Sequence, residues 1–140
     1  MITILATRTS QTIELYLDGV FSARAVGDLT LVTDQYQLLA VLVEDENVDK
    51  NVYFVASSSN GFRTNTSLKC TSKNNQAWFL PNFKDTSWPK PYADDNNKVV
   101  YFVAPDAKWI AYLLANSNKI FCRWKTSAGK YQPSEYQPNS

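Results

Sequence analysis

The sequence predicts an all-β, antiparallel β-sandwich of about eight short strands, and three observations carry that expectation. Apolar residues alternate with polar or bulky ones, as at Ile2, Ile4 and Ala6 and again at Ile13, Leu15 and Leu17. Turn residues separate these runs at short intervals. Seven Phe, eight Tyr and four Trp bring the aromatic share of the 140 residues to 14%, a bias that favours strands.

The elements follow in order. The two alternating runs make the first two strands. Asp18-Gly19 followed by Val20-Phe21 reads as a tight hairpin turn into a third. Residues 29–33 form another short strand. The nearest approach to a helix former, 33–39, lacks cap signals at both ends. Residues 38–43 are continuously apolar, as in a strand buried on both faces. A charged turn over 44–50 leads to a strand at 52–56, which Ser57-Ser58-Ser59-Asn60-Gly61 ends. Residues 60–91 read mostly as loop, with three prolines, and strands return at 99–103, 109–114 and 120–124. Residues 1–126 are thus expected to be one domain, with 127–140, polar and holding two prolines, a loosely held tail.

Composition excludes several functions. Fourteen Lys and Arg against 13 Asp and Glu give a net charge of +1, without the basic footprint of a duplex nucleic-acid binder or of a protein held on an acidic membrane. Every apolar run is interrupted within a few residues, so no membrane insertion is expected. The chain has no histidine, which removes Ser-His-Asp and Cys-His nucleophile systems, His-ligated zinc and the usual general base. Carboxylate pairs remain the candidates for hydrolysis, but a glycosidase needs two of them facing each other across a cleft, roughly 5–9 Å apart. A chain of this length has little room for such a cleft, so no enzyme is expected. The two cysteines, Cys70 and Cys122, form no CxxC; they read either as two buried thiols or as one disulfide. The first residues lack the apolar run of a signal peptide, as in a cytosolic protein or a mature chain whose signal was removed.

Four segments together resemble a known family. They are Leu38-Leu39-Ala40-Val41 with its acidic turn; residues 55–65; Leu68-Lys69-Cys70 followed by Trp78 and by Phe83-Lys84-Asp85-Thr86-Ser87-Trp88-Pro89; and Ala107-Lys108-Trp109-Ile110 with Ile120-Phe121-Cys122-Arg123. In this order, over residues 15–125, they are similar to the galactose-binding-domain-like jelly roll of invertebrate extracellular lectins and of non-catalytic sugar-binding domains. The sequence departs from the pattern at Lys84, where the corner has Asp, and at Leu68, where the family has Trp. The resemblance implies a jelly roll, a Cys70–Cys122 disulfide and an oxidising, secreted setting. It also implies that Trp88 builds the corner by packing; Asp85, as an Asp in a turn, reads as fixing that corner by bonding backbone N–H groups. Asn65-Thr66-Ser67 is a glycosylation sequon if the chain is secreted.

Sugars are recognised by stacking on aromatic rings and by side chains with directed donors and acceptors. The ligand-binding candidates by this criterion are Arg63, Asn74, Asn75, Gln76, Trp78, Tyr92, Asp94 and Asp95, with Trp78 as the stacking platform. Glu44, Asp45, Glu46 and Asp49, or Asp94 and Asp95, offer oxygens for a structural Ca²⁺, although no EF-hand loop is present and such a run reads first as a solvated turn. No other cofactor or metal is expected. The expectation is a lectin for galactose-type or N-acetyllactosamine-type glycans, bound through loops at one end of the sandwich. Weak single sites favour a homo-oligomer, with Tyr101, Tyr112 and Phe121 as contact surface. The alternatives are an extracellular adhesion module that binds protein partners, or an accessory domain of a larger enzyme.

Overall fold

The computed structural model describes residues 1–8, 12–45, 52–94, 102–111 and 118–126. Its strands are β1 (Ile2–Arg8), β2 (Thr12–Leu17), β3 (Val20–Ala25), β4 (Leu29–Thr33), β5 (Leu38–Glu44), β6 (Phe54–Ser58), β7 (Lys69–Thr71), β8 (Tyr92–Asp94), β9 (Trp109–Ala111) and β10 (Lys119–Lys125). They form two antiparallel five-stranded sheets, ordered β4-β1-β6-β9-β8 and β3-β2-β5-β10-β7. The expected β-sandwich is therefore formed, with ten strands among the described residues in place of about eight. β7 lies inside the stretch read as loop and β8 follows it; at three residues each they are too short for alternation to register. Phe102 and Val103, expected to end a strand, lie in a turn, because Ala104 N–H donates to Ser57 Oγ and fixes the chain across the end of β6. Residues 99–101, 112–114 and the expected tail fall outside the described residues. Among the described residues no helix is long and apolar enough to cross a membrane.

Alternation places one face of each strand inside. Ile4 and Ala6 of β1, Ile13 and Leu15 of β2, Phe54 and Ala56 of β6, and Ile120 of β10 meet between the sheets. Each such Ile, Leu or Phe stabilises the fold by about 1.5–3 kcal/mol relative to an exposed side chain. β5 is buried on both faces, as its continuous apolar run predicts: Leu39, Val41 and Val43 face this core, whereas Ala40 packs on the opposite side.

That opposite side is roofed by residues 72–91, which fold over the outer face of β5 and β10. Trp78 packs against Ala40 and Phe121, with Phe79 and Trp88 beside it. The roof is pinned by Arg123, whose side chain is fully buried. Its Nε donates to Asp85 Oδ2 at 2.8 Å, Nη1 to the carbonyls of Trp78 (2.6 Å) and Leu80 (2.9 Å), and Nη2 to that of Phe83 (3.1 Å). The guanidinium also lies 5.3 Å from the centre of the Phe83 ring.

The predicted hairpin forms at Asp18-Gly19, both with positive φ (51° and 85°), as a type I′ turn requires. Asp18 Oδ1 accepts the N–H groups of Gln37 and Leu38, each at 2.9 Å, and ties the turn to β5. A Cβ on Gly19 would sit 2.9 Å from Pro81 Cδ, so glycine also admits the roof's close approach. Cys70 and Cys122 are directly opposite in the β7–β10 register and form a disulfide.

Candidate functional site

The structure distributes the sequence-predicted ligand residues rather than gathering them. Arg63 follows β6 and is held by Asp106 (2.7 Å) and by the carbonyls of Ser58 and Phe62. Asn74, Asn75 and Gln76 are exposed at the start of the roof on the other sheet, where Asn75 Oδ1 accepts the Ala77 N–H in a local turn. Tyr92 is exposed on the edge strand β8, which also carries Asp94; Asp95 lies outside the described residues.

Three expectations are corrected. Trp78, expected as the platform, is 4% exposed, because Tyr16, Phe79 and Phe121 surround its ring at 5.3, 5.8 and 5.0 Å. Phe121, expected as contact surface, is buried under the same roof; Tyr101 and Tyr112 lie outside the described residues. Among the described residues, the Asp85 carboxylate fixes the corner by accepting from the Arg123 guanidinium and takes no backbone N–H. Trp88 packs there as expected, 5.5 Å from Phe83. In the sequon, Asn65 Oδ1 accepts both the N–H and the hydroxyl of Ser67. Of the Ca²⁺ candidates, Glu44 pairs with Lys119 at 3.7 Å, Asp45 bonds Asn118 through its backbone, and Glu46 and Asp49 fall outside the described residues. Among the described residues no three acidic, Cys or His side chains are grouped to hold a metal.

The roof covers only part of the sheet, and the uncovered part carries a coherent set of side chains. On β2, alternation turns Thr12, Glu14 and Tyr16 away from the core. Register then places Arg24 and Leu42 opposite Glu14, Phe21 opposite Tyr16, and Glu44 opposite both Thr12 and Lys119. Tyr16 stacks on Phe79 at the rim of the roof (centroids 4.6 Å apart) and meets Phe21 edge-on at 5.6 Å. Phe21 remains 54% exposed. Glu14 accepts the Tyr16 hydroxyl at 3.0 Å and pairs with Arg24 at 3.3 Å. The face is thus an apolar ring surface bordered by two ion pairs that present both donors and acceptors.

Two electrostatic features mark the same face. Among the described residues, Thr12 Oγ1 is the buried side-chain oxygen without a hydrogen-bond partner, a deficit that costs about 1–3 kcal/mol. The Tyr16 phenol is pushed up to about 12, first by burial, then by its hydrogen bond to Glu14 and the charges of Glu14 and Glu44. Folding favours the neutral phenol, so this contribution is present below pH 10 and is lost as the pH rises from 10 towards 12. Burial also raises the Tyr36 phenol, so a tyrosinate absorbance titration is expected to show both tyrosines ionising late, with Tyr16→Phe removing one of the two and leaving the other.

Sequence reading missed this face although part of it was legible. Alternation along β2 puts Glu14 and Tyr16 together, and the Asp-Gly turn brings β3 alongside. The same two-residue turn sets Phe21 opposite Tyr16, whereas the register shift between Leu15 and Tyr16, which puts Arg24 instead of Ala23 opposite Glu14, leaves no such trace. Comparison with protein-family models, curated proteins and solved structures gives no match for this chain.

Proposed function

We propose that the chain is a non-catalytic carbohydrate-binding domain of lectin type, which takes a neutral glycan on the Phe21–Tyr16–Phe79 face instead of in loops at one end. The observation that carries this reading is the half-exposed Phe21 ring beside the Glu14–Arg24 pair on a rigid sheet. A sugar's C–H face stacks on the ring while its hydroxyls donate to Glu14 and Glu44 and accept from Arg24 and Lys119. Fixed in direction by their own ion pairs, these groups lose little freedom on binding. The resemblance to galactose-binding-like domains favours galactose-type and N-acetyllactosamine-type glycans, and together with the disulfide it favours a secreted setting.

A glycan array followed by calorimetric titration tests this reading. Phe21→Ala is expected to weaken binding at least about tenfold, or about 1.4 kcal/mol, with the unfolding midpoint little changed because the ring is half exposed. The absence of any hit across a broad panel would sink the carbohydrate reading and favour an adhesion module.

A further inference from the structure

A sandwich of two open sheets has four edge strands, and here three of them are blunted. β3 adjoins a register shift at Leu15/Tyr16 and carries Arg24. β7 has three residues, and the Cys70 N–H already donates to the Pro89 carbonyl at 3.0 Å. β8 has three residues and follows Pro91 directly. Short length, irregular register, charge and proline are the devices that keep an edge from pairing. β4 has none of them. Its five residues, Leu29-Thr30-Leu31-Val32-Thr33, pair with β1 throughout without a shift, and they contain no Pro, Gly, Lys or Arg. Thr30 and Val32 are exposed, Val32 at 53% although it is apolar. Thr3 lies opposite Val32, and Met1, on the same face as Thr3 and 86% exposed, extends the apolar strip.

We propose that β4 pairs antiparallel with β4 of a second copy of this chain, about a two-fold axis at Val32. An open edge offers unpaired N–H and C=O groups in a row, which another extended strand satisfies. With one such edge among the described strands, the pairing is isologous and closes at two copies instead of propagating. Charge selects the register. Exposed Asp28 and Asp34 flank β4, and pairing about Leu31 would set Asp28 of each copy against Asp34 of the other. Pairing about Thr30 would leave each Val32 facing a carboxylate. Pairing about Val32 sets valine against valine and Thr30 against Asp34, so no like charges meet and the two exposed valine side chains pack side by side.

The dimer does not rest on the carbohydrate reading, and sedimentation velocity without glycan tests it. The wild type is expected to shift from monomer to dimer mass with rising concentration, whereas Val32→Lys stays monomeric with an unchanged far-UV spectrum. Both native cysteines are bonded to each other, so a thiol introduced on β4 is the only free one. Val32→Cys is expected to give a disulfide-linked dimer on a non-reducing gel, and Thr30→Cys is not. A wild type that stays monomeric at the highest attainable concentration overturns the proposal, as does a dimer that survives Val32→Lys. Cross-linking through Thr30→Cys but not Val32→Cys overturns the register.

Discussion

Arg123→Met is expected to lower the unfolding free energy by about 3–5 kcal/mol, the largest effect of any single substitution considered for this protein. The side chain is fully buried, and its four hydrogen bonds reach three carbonyls and one carboxylate of a segment that has no regular secondary structure. Methionine fills much of the volume but donates nothing. Asp85, with 19% of its side chain exposed, then loses its counter-charge, and the carbonyls of Trp78, Leu80 and Phe83 lose their donor. Urea unfolding measures the loss. Because the roof covers Trp78, its release is also expected to shift tryptophan emission to the red. It would displace Phe79 from Tyr16 as well, so glycan affinity is expected to fall with stability. A loss below about 1 kcal/mol would mean that the guanidinium is worth no more than a surface ion pair, and that the roof is held by its aromatic packing alone.

Removing the disulfide, by reduction or by a paired Cys70→Ser, Cys122→Ser variant, is expected to cost roughly 4 kcal/mol by the chain-entropy account, since the bridge spans 52 residues. The enclosed segment includes the whole roof, which local hydrogen bonding does little to restrain in the unfolded chain. In the folded protein the bridge also anchors β7, which is only three residues long and, among the described strands, pairs with β10 alone. Loss of protection from hydrogen exchange is therefore expected first at β7 and the Pro89 contact, before the β2–β5–β10 core. Equal urea midpoints for oxidised and reduced protein would show that the reduced unfolded chain keeps enough structure to offset the closed loop.

Much of the architecture was legible from residue order. Strand geometry repeats every two residues, so Ile13 and Leu15 declared an inward face without reference to anything distant. The Asp18-Gly19 turn was legible for the same reason: positive φ at both positions is a local steric preference. The two-sided burial of β5 followed from its unbroken apolar run. The cysteines lie between these cases. Their spacing left two readings open, resemblance implied the bridge, and the register of two strands far apart in sequence makes it possible.

The site depends on what alternation cannot say. Alternation separates two faces but does not tell which outer face a loop will cover. Trp78 sits in a polar stretch typical of exposed loops, yet the roof folds it against Ala40 and Phe121; Phe21, on an ordinary strand, is left half exposed because the roof stops at Phe79. Arg123 reads as one more cation until the carbonyls of a segment some 40 residues away converge on it. Sequence by itself thus determined the sandwich, its core faces and its hairpin, all set by short-range backbone and side-chain periodicity. Tertiary structure decided which polar side chains are buried and paired and which rings meet solvent, because those outcomes are set by contacts between segments that no local preference links.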